Sequence, residues 1–165
     1  MHAEALGWVA RYATGEPVRV LDLGGRDVNG TVRDLFPKAD PYVVVDMRPG
    51  DGVDIVADAG AWVPELGALY DVVVCTEVFE HAANWPAIVA TAHYALAPAG
   101  QLILTMAGPG RPAHSAIDGQ RLRPGEYYGN VHPETLRAVL QLIGFRDIVV
   151  DRQRNPADTR ATAVK

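Results

Sequence analysis

Five short apolar segments, residues 18–23, 42–45, 54–57, 71–75 and 101–106, recur along this chain, and most are nearly continuous in Val, Leu, Ile and Ala. Strands of that composition bury both faces, the pattern of a parallel sheet covered on each side by its crossovers. Parallel neighbours also require long, right-handed connections, which excludes a meander or a sandwich built from hairpins. The expected fold is therefore α/β: a doubly wound, seven-stranded, mainly parallel sheet with an antiparallel last strand.

The segments between the strands fit that reading. Residues 2–14 carry Leu6, Val9, Ala10 and Ala13 at helical spacing, closed by Gly15 and Pro17. A second, short helix is expected with Val32, Leu35 and Phe36 on one face, limited by Pro37. Asn84 is placed to cap a third, with Ile88, Val89, Ala92 and Leu96 inward and Pro98-Ala99-Gly100 ending it. The clearest helix has Pro133 in its first turn, Leu136, Val139, Leu140 and Ile143 on one face, and Gly144 just beyond. Residues 145–150 and 159–164 then read as a hairpin joined through Arg154-Asn155-Pro156-Ala157. Only residues 107–131, rich in Gly, Pro, Arg and His, lack periodicity.

Composition narrows the class further. The 165 residues suit one domain spanning 1–165, in which 107–131 forms a loop insertion on the substrate side. No apolar run approaches the roughly 18–20 residues of a membrane span, so no membrane partner is expected. The start Met-His-Ala-Glu-Ala-Leu-Gly-Trp lacks a signal-peptide pattern, and the single cysteine, Cys75, has no internal partner. A reducing, cytoplasmic setting is the expectation. With 15 basic and 20 acidic side chains the net charge is -5, which argues against a broad phosphate-neutralising surface and hence against nucleic acid as partner.

In open α/β sheets, ligands bind outside the carboxyl ends of the strands, which selects the residues of interest. The first strand ends Val20-Leu21-Asp22-Leu23-Gly24-Gly25: a carboxylate inside a buried strand, then two glycines that let the backbone turn sharply and approach a ligand closely. Asp46 ends the second strand, 22 residues after Gly24, where a carboxylate can accept both hydroxyls of a ribose. It also suits turn initiation before Arg48-Pro49-Gly50. Asp58-Ala59 follows the third strand and could read an adenine edge; Asp58 equally fits a helix N-cap. No G-x-G-x-x-G pattern and no P-loop lysine are present, which excludes the usual pyrophosphate cradles.

Together these segments resemble the class I S-adenosylmethionine-dependent methyltransferases over nearly the whole chain. The resemblance is carried by Val20-Leu21-Asp22-Leu23-Gly24-Gly25-Arg26-Asp27-Val28-Asn29-Gly30, Val45-Asp46-Met47, Val56-Ala57-Asp58-Ala59 and Cys75-Thr76-Glu77-Val78-Phe79-Glu80-His81. Leu96-Ala97-Pro98-Ala99-Gly100-Gln101-Leu102 resembles the family's turn into strand five. The likeness implies the Rossmann-like methyltransferase fold, S-adenosyl-L-methionine as cofactor, and cofactor contacts from Asp22, Gly24, Gly25, Arg26, Asn29, Asp46, Met47, Asp58, Ala59, Thr76 and Glu77. A sulfonium cation without phosphates fits a site ringed by Asp22, Asp46, Asp58 and Glu77. One departure stands out: Arg26 and Val28 occupy positions where the family has glycines. The Asp27 to Gly30 continuation is similar to a bacterial and phage subgroup, in which Arg26, Asn29 or a nearby helix N-terminus would meet the methionine carboxylate.

On the acceptor side, His81 and His114 are the candidate catalytic residues. His81 also suits packing at a helix start, and His114 a solvated loop. Arg111, Tyr127 and Tyr128 are the candidate acceptor contacts, through charge and ring stacking; the two tyrosines equally suit loop anchors. Cys75 reads as a structural thiol, and no metal-site spacing is present.

The expected function is methyl transfer to an oxygen or nitrogen of a small-molecule or glycan acceptor. Two alternatives remain: a non-catalytic S-adenosylmethionine-binding subunit of a larger complex, motivated by the altered loop, and nucleic-acid methylation. The latter is disfavoured because strand four ends Cys75-Thr76-Glu77-Val78 rather than Asn/Asp-Pro-Pro-aromatic, the motif that holds a flipped base. Since the cofactor core uses nearly the whole chain, either the acceptor is small or exposed, or a second chain completes the site, as a homodimer would.

Overall fold

A computed structural model describes residues 2–65, 67 and 69–165. Its strands β1 (Val18–Leu23), β2 (Ala39–Asp46), β3 (Ile55–Val56), β4 (Tyr70–Thr76), β5 (Leu96–Ala107), β6 (Arg146–Gln153) and β7 (Asp158–Val164) form one seven-stranded sheet in the order β3-β2-β1-β4-β5-β7-β6. The first five are mutually parallel, and β7 lies antiparallel between β5 and β6. The winding direction reverses between β1 and β4, since the chain first builds outward through β2 and β3 and then returns to the other side of β1. The expected fold class and its reversed last strand are both present.

Period-two side-chain direction divides the core into two layers. Leu21, Leu23, Val73, Cys75, Leu102 and Leu104 face one side, where they meet Ile88, Val89 and Ala92 of α2 (Trp85–Ala95) and Leu136 and Leu140 of α3 (Pro133–Ile143). Val20, Val72, Val74 and Ile103 face the other side and meet Trp8 and Val9 of α1 (Ala3–Ala10) with Val32 and Phe36. Helix α3 ends on Gly144, whose φ of 108° provides the left-handed cap that a side chain would resist.

Several boundaries differ from the sequence expectation. Helix α1 stops at Ala10, where its last donors turn back onto Trp8 and Val9, instead of reaching residue 14. The short helix expected around Val32, Leu35 and Phe36 is one 3-10 turn, Arg33–Leu35, although Val32 and Phe36 are buried as foreseen. The third strand keeps only two residues because it is a sheet edge paired to β2 alone. Leu96 begins β5 instead of closing α2, and Ala99, at φ 63°, absorbs the Pro98-Ala99-Gly100 kink within that strand.

The difference between the layers is open to measurement. Leu140 is fully buried and Leu142, two residues on, is 87% exposed. Leu140→Ala is expected to cost about 2–5 kcal/mol of unfolding free energy, and Leu142→Ala no more than about 0.5 kcal/mol, in urea denaturation.

Candidate active site

Parallel strands bring their carboxyl ends to one edge, so the order β3-β2-β1-β4 sets Asp58, Asp46, Gly24 and Thr76 side by side. They line a single cleft of about 960 Å³ at the switch between β1 and β4. Asp22, Gly25, Arg26, Asn29, Met47, Ala59 and Glu77 also line it. So do His81, Arg111 and His114 from the far wall. Of the expected site residues, only Tyr127 and Tyr128 lie outside the cleft lining.

The turn after β1 explains why two glycines are needed. Gly24 has φ 81°, and a Cβ on it would stand 2.3 Å from Val78 Cγ2. At Gly25 a Cβ would stand 2.4 Å from Asp22 Cγ, so the loop folds directly over that carboxyl. Asp22 is 2% exposed and accepts one hydrogen bond, from Tyr42 Oη at 2.8 Å. Burial pushes its carboxyl up to about 7 against the opposing effect of that bond, with the Asp46 charge adding to the rise.

Asp46 is held from both sides: Oδ1 accepts from the Arg48 backbone N–H at 2.9 Å and Oδ2 from the Arg26 N–H at 3.3 Å. These bonds fix its carboxylate at the rim with lone pairs to spare for ribose hydroxyls. Asp58 Oδ1 accepts from the Gly60 N–H at 2.8 Å. Its backbone carbonyl accepts from Ala61 and Trp62, so the residue starts a turn rather than capping a helix.

The structure redirects two expected roles. Arg26 lies across Gly50 with Nε 4.0 Å from Asp46 Oδ1, at the end of β2, and the loop leads into a 3-10 turn that has no α-helical N-terminus to offer a carboxylate. Arg111 is committed within the protein: Nη1 donates to Asp158 Oδ1 at 2.5 Å and Nη2 lies 3.7 Å from Glu77 Oε2. Its charge is shared with two carboxylates at the cleft wall.

Glu77 adopts φ 58°, a left-handed conformation that costs a non-glycine residue about 1 kcal/mol or more. The twist turns its carboxylate toward Thr105 Oγ1, 3.0 Å away, and toward His2 Nε2 at 3.3 Å. Burial opposes ionisation there, but the hydrogen bond from His2 and the charges of His2 and Arg111 outweigh it, and the carboxyl lies below its ordinary value. His2 is raised in return, chiefly by the Glu77 bond. Neither His2 nor Asp158 stood out in the sequence, because one is a terminal residue and the other opens a strand 81 residues after Glu77.

On the opposite wall, His81, His114 and Tyr128 pack edge to face, with ring centroids 5.0–5.5 Å apart. Tyr128 thus backs the histidines, and Tyr127 turns outward with its hydroxyl folded near Gly129. Burial lowers His81 to about 4, helped by neighbouring His114, so the ring is neutral at physiological pH. An imidazole that weakly basic is a poor general base, since efficient proton acceptors titrate near the working pH. Beneath it Glu80, which the sequence offered only as part of a motif, is fully buried. Burial and the nearby Glu77 charge hold its carboxyl well above the ordinary range.

Residues 1–150 match the family described as Methyltransferase domain. The chain belongs to that family, within the class I S-adenosylmethionine-dependent methyltransferases. Among curated proteins no sequence matches. The DhpI–SAH complex superposes with a TM-score of 0.71 at 21% identity, covering 98% of this chain and 83% of the other. A Burkholderia thailandensis 1,6-didemethyltoxoflavin-N1-methyltransferase, solved with bound 1,6-didemethyltoxoflavin and S-adenosylhomocysteine, gives a TM-score of 0.67 at 19% identity, covering 99% of this chain and 77% of that one. A Haemonchus contortus phosphoethanolamine N-methyltransferase 2, solved with phosphomonomethylethanolamine and S-adenosylhomocysteine, gives 0.72 at 16% identity, covering 98% of this chain and 52% of that one. No helix among the described residues is long and apolar enough to cross a membrane.

The burial of Asp22 has a measurable consequence. The unfolded chain releases its proton near the ordinary carboxyl value and the fold only near 7, so between about pH 4 and pH 7 the native state binds more protons. Stability contributed by Asp22 is complete below that window and is lost as pH rises through it. Asp22→Asn is expected to remove this loss, gaining up to about 4 kcal/mol on wild type from the bottom to the top of the window in urea denaturation. Parallel wild-type and variant curves would show that the carboxyl ionises freely.

Proposed function

We propose that this chain transfers the methyl group of S-adenosyl-L-methionine to an oxygen or nitrogen of a small-molecule or glycan acceptor. The observation that carries the reading is the row of strand ends: a carboxyl roofed by Gly25, an anchored Asp46 at the rim and Asp58-Ala59 beyond it, all on one cleft. The cleft volume lies at the upper end of the roughly 300–1,000 Å³ typical of small-molecule sites, enough for a cofactor and a compact acceptor. Its donor set also fits, since carboxylates attract a sulfonium and accept from ribose hydroxyls, whereas nothing here would cradle a pyrophosphate.

When bound, S-adenosyl-L-methionine supplies a methyl group on a positively charged leaving sulfur. Asp46 would hold the ribose, Asp58 and Ala59 the adenine, and Gly24 and Gly25 the backbone approach. His81 and His114 line the acceptor wall and orient what enters. Support for a small acceptor comes from the toxoflavin precursor and the phosphomonomethylethanolamine bound by the structural neighbours. A glycan acceptor rests on the subgroup resemblance alone, and a homodimer remains the way a second chain would narrow the cleft.

Calorimetry tests the assignment. Asp46→Ala is expected to weaken S-adenosyl-L-methionine binding about tenfold or more, by removal of hydrogen bonds to a charged acceptor group. Unchanged affinity would sink the site assignment. With the cofactor bound, a panel of hydroxyl, amine and sugar acceptors assayed by mass spectrometry is expected to yield a methylated product. Tight binding without turnover on any of them would favour the non-catalytic subunit.

A further inference from the structure

Among the described residues two groups bring three metal-ligating side chains together, each with one ligand atom within 4.8 Å of the others: His2, Glu77 and Asp158, and Glu80, His81 and His114. They differ in what already fills them. In the first, the Arg111 guanidinium supplies the cation, 2.5 Å from Asp158 and 3.7 Å from Glu77. In the second no cationic side chain stands within ion-pair distance, and the polar atoms go unanswered. Both carboxyl oxygens of the fully buried Glu80 lack a well-formed hydrogen bond, with only the backbone N–H groups of Glu80 and Ala107 nearby, and His81 Nδ1 and the hydroxyl of adjacent Tyr128 have no partner.

Buried polar atoms without partners are costly, and several around one point imply a missing ligand. On giving up its proton the Glu80 carboxyl offers an anionic oxygen and each imidazole a ring-nitrogen lone pair, a donor set that suits an electron-poor centre. His114 has one ring nitrogen already engaged. Its Nδ1 lies 3.1 Å from the Pro112 carbonyl, which can only accept, so the proton sits on Nδ1 and the lone pair on Nε2. Metal-bound histidines commonly make this outer contact, since it fixes the tautomer and strengthens the ligand. The backbone beneath is also pinned, as the Gly129 N–H donates to the Glu80 carbonyl at 2.8 Å.

We propose that Glu80, His81 and His114 bind one divalent first-row transition ion at the acceptor wall of the cleft. Bonds of about 2.0–2.2 Å to such an ion put tetrahedral ligand atoms roughly 3.4 Å apart, so these three, already within 4.8 Å of one another, would have to draw together on binding. Two imidazoles and one carboxylate suit zinc, cobalt, manganese or iron, and leave coordination positions vacant. Because His81 and His114 line the cleft, those positions face it, and an oxygen of the entering acceptor can complete the shell. That last role rests on the methyltransferase reading; the binding of the ion does not.

Cobalt(II) is a suitable probe because its visible spectrum reports coordination. Protein stripped with a chelator and titrated with Co²⁺ is expected to bind one equivalent, displaced by Zn²⁺, and azide is expected to shift the spectrum by entering an open position. Glu80→Gln and His114→Ala should each weaken Co²⁺ binding about 10- to 100-fold or more. Replacement of His132, exposed and outside the cluster, should leave it unchanged. Absence of Co²⁺ or Zn²⁺ binding by the wild type, equal binding by His114→Ala, or loss of binding in His132→Ala would each overturn the site, and an azide-insensitive spectrum would overturn its openness. S-adenosyl-L-methionine calorimetry on the same samples checks that the variants are folded, and it separates failure of the metal site from failure of the methyltransferase reading.

Discussion

Strand β1 has no room for a side chain where it leaves the sheet. A Cβ on Gly24 would strike Val78, which follows β4, and one on Gly25 would strike Asp22 within β1 itself. The two contacts clamp the first turn against the neighbouring strand's exit and over a buried carboxyl. With the turn lying that flat, the ends of four parallel strands share one concave edge. A side chain at either position would lift the loop and divide the cleft.

The same clamp accounts for how little structure this chain spends on one face. Residues 24–38 cross from β1 to β2 with a single 3-10 turn, and among the described residues only α1 covers that layer as a helix. Phe36 and Val32 carry the burial that a longer crossover helix would otherwise provide. Tyr42 performs a second task there, since its ring packs near Phe36 and its hydroxyl is the partner of Asp22. Packing and the one hydrogen bond to the buried carboxyl are thereby joined in one residue.

Much of this was legible in the residue pattern, for identifiable reasons. Buried parallel strands announce themselves as apolar runs, and α3 carries Pro133, an apolar stripe and Gly144, three signals that agree. Asp22, Asp46 and Asp58 could be picked out by their order and spacing at three successive strands, although Asp46 and Asp58 taken singly also suit a turn or a cap. What the pattern could not reveal were pairings that depend on side chains meeting across the fold. Arg111 looked free until Asp158 and Glu77 closed on it. His2 and Glu80 gave no signal because a terminal histidine and a motif glutamate acquire meaning only from what surrounds them. Helix length was also overread at residues 11–14 and 31–36, where the apolar spacing is satisfied by a turn as well as by a helix.

The long loop is fastened at its neck. Val131 N–H donates to Ala107 O, Gly108 N–H to Ala157 O, and Thr159 Oγ1 to Val131 O, so both ends are stitched to β5 and β7 within hydrogen-bond distance of one another. A loop closed in this way tolerates insertion, because the cost of lengthening a closed loop grows only slowly. Within it Ala116, Gly119, Gln120 and Arg121 line the cleft, so changes at residues 116–125 reshape the cleft wall while the ends stay held by their hydrogen bonds.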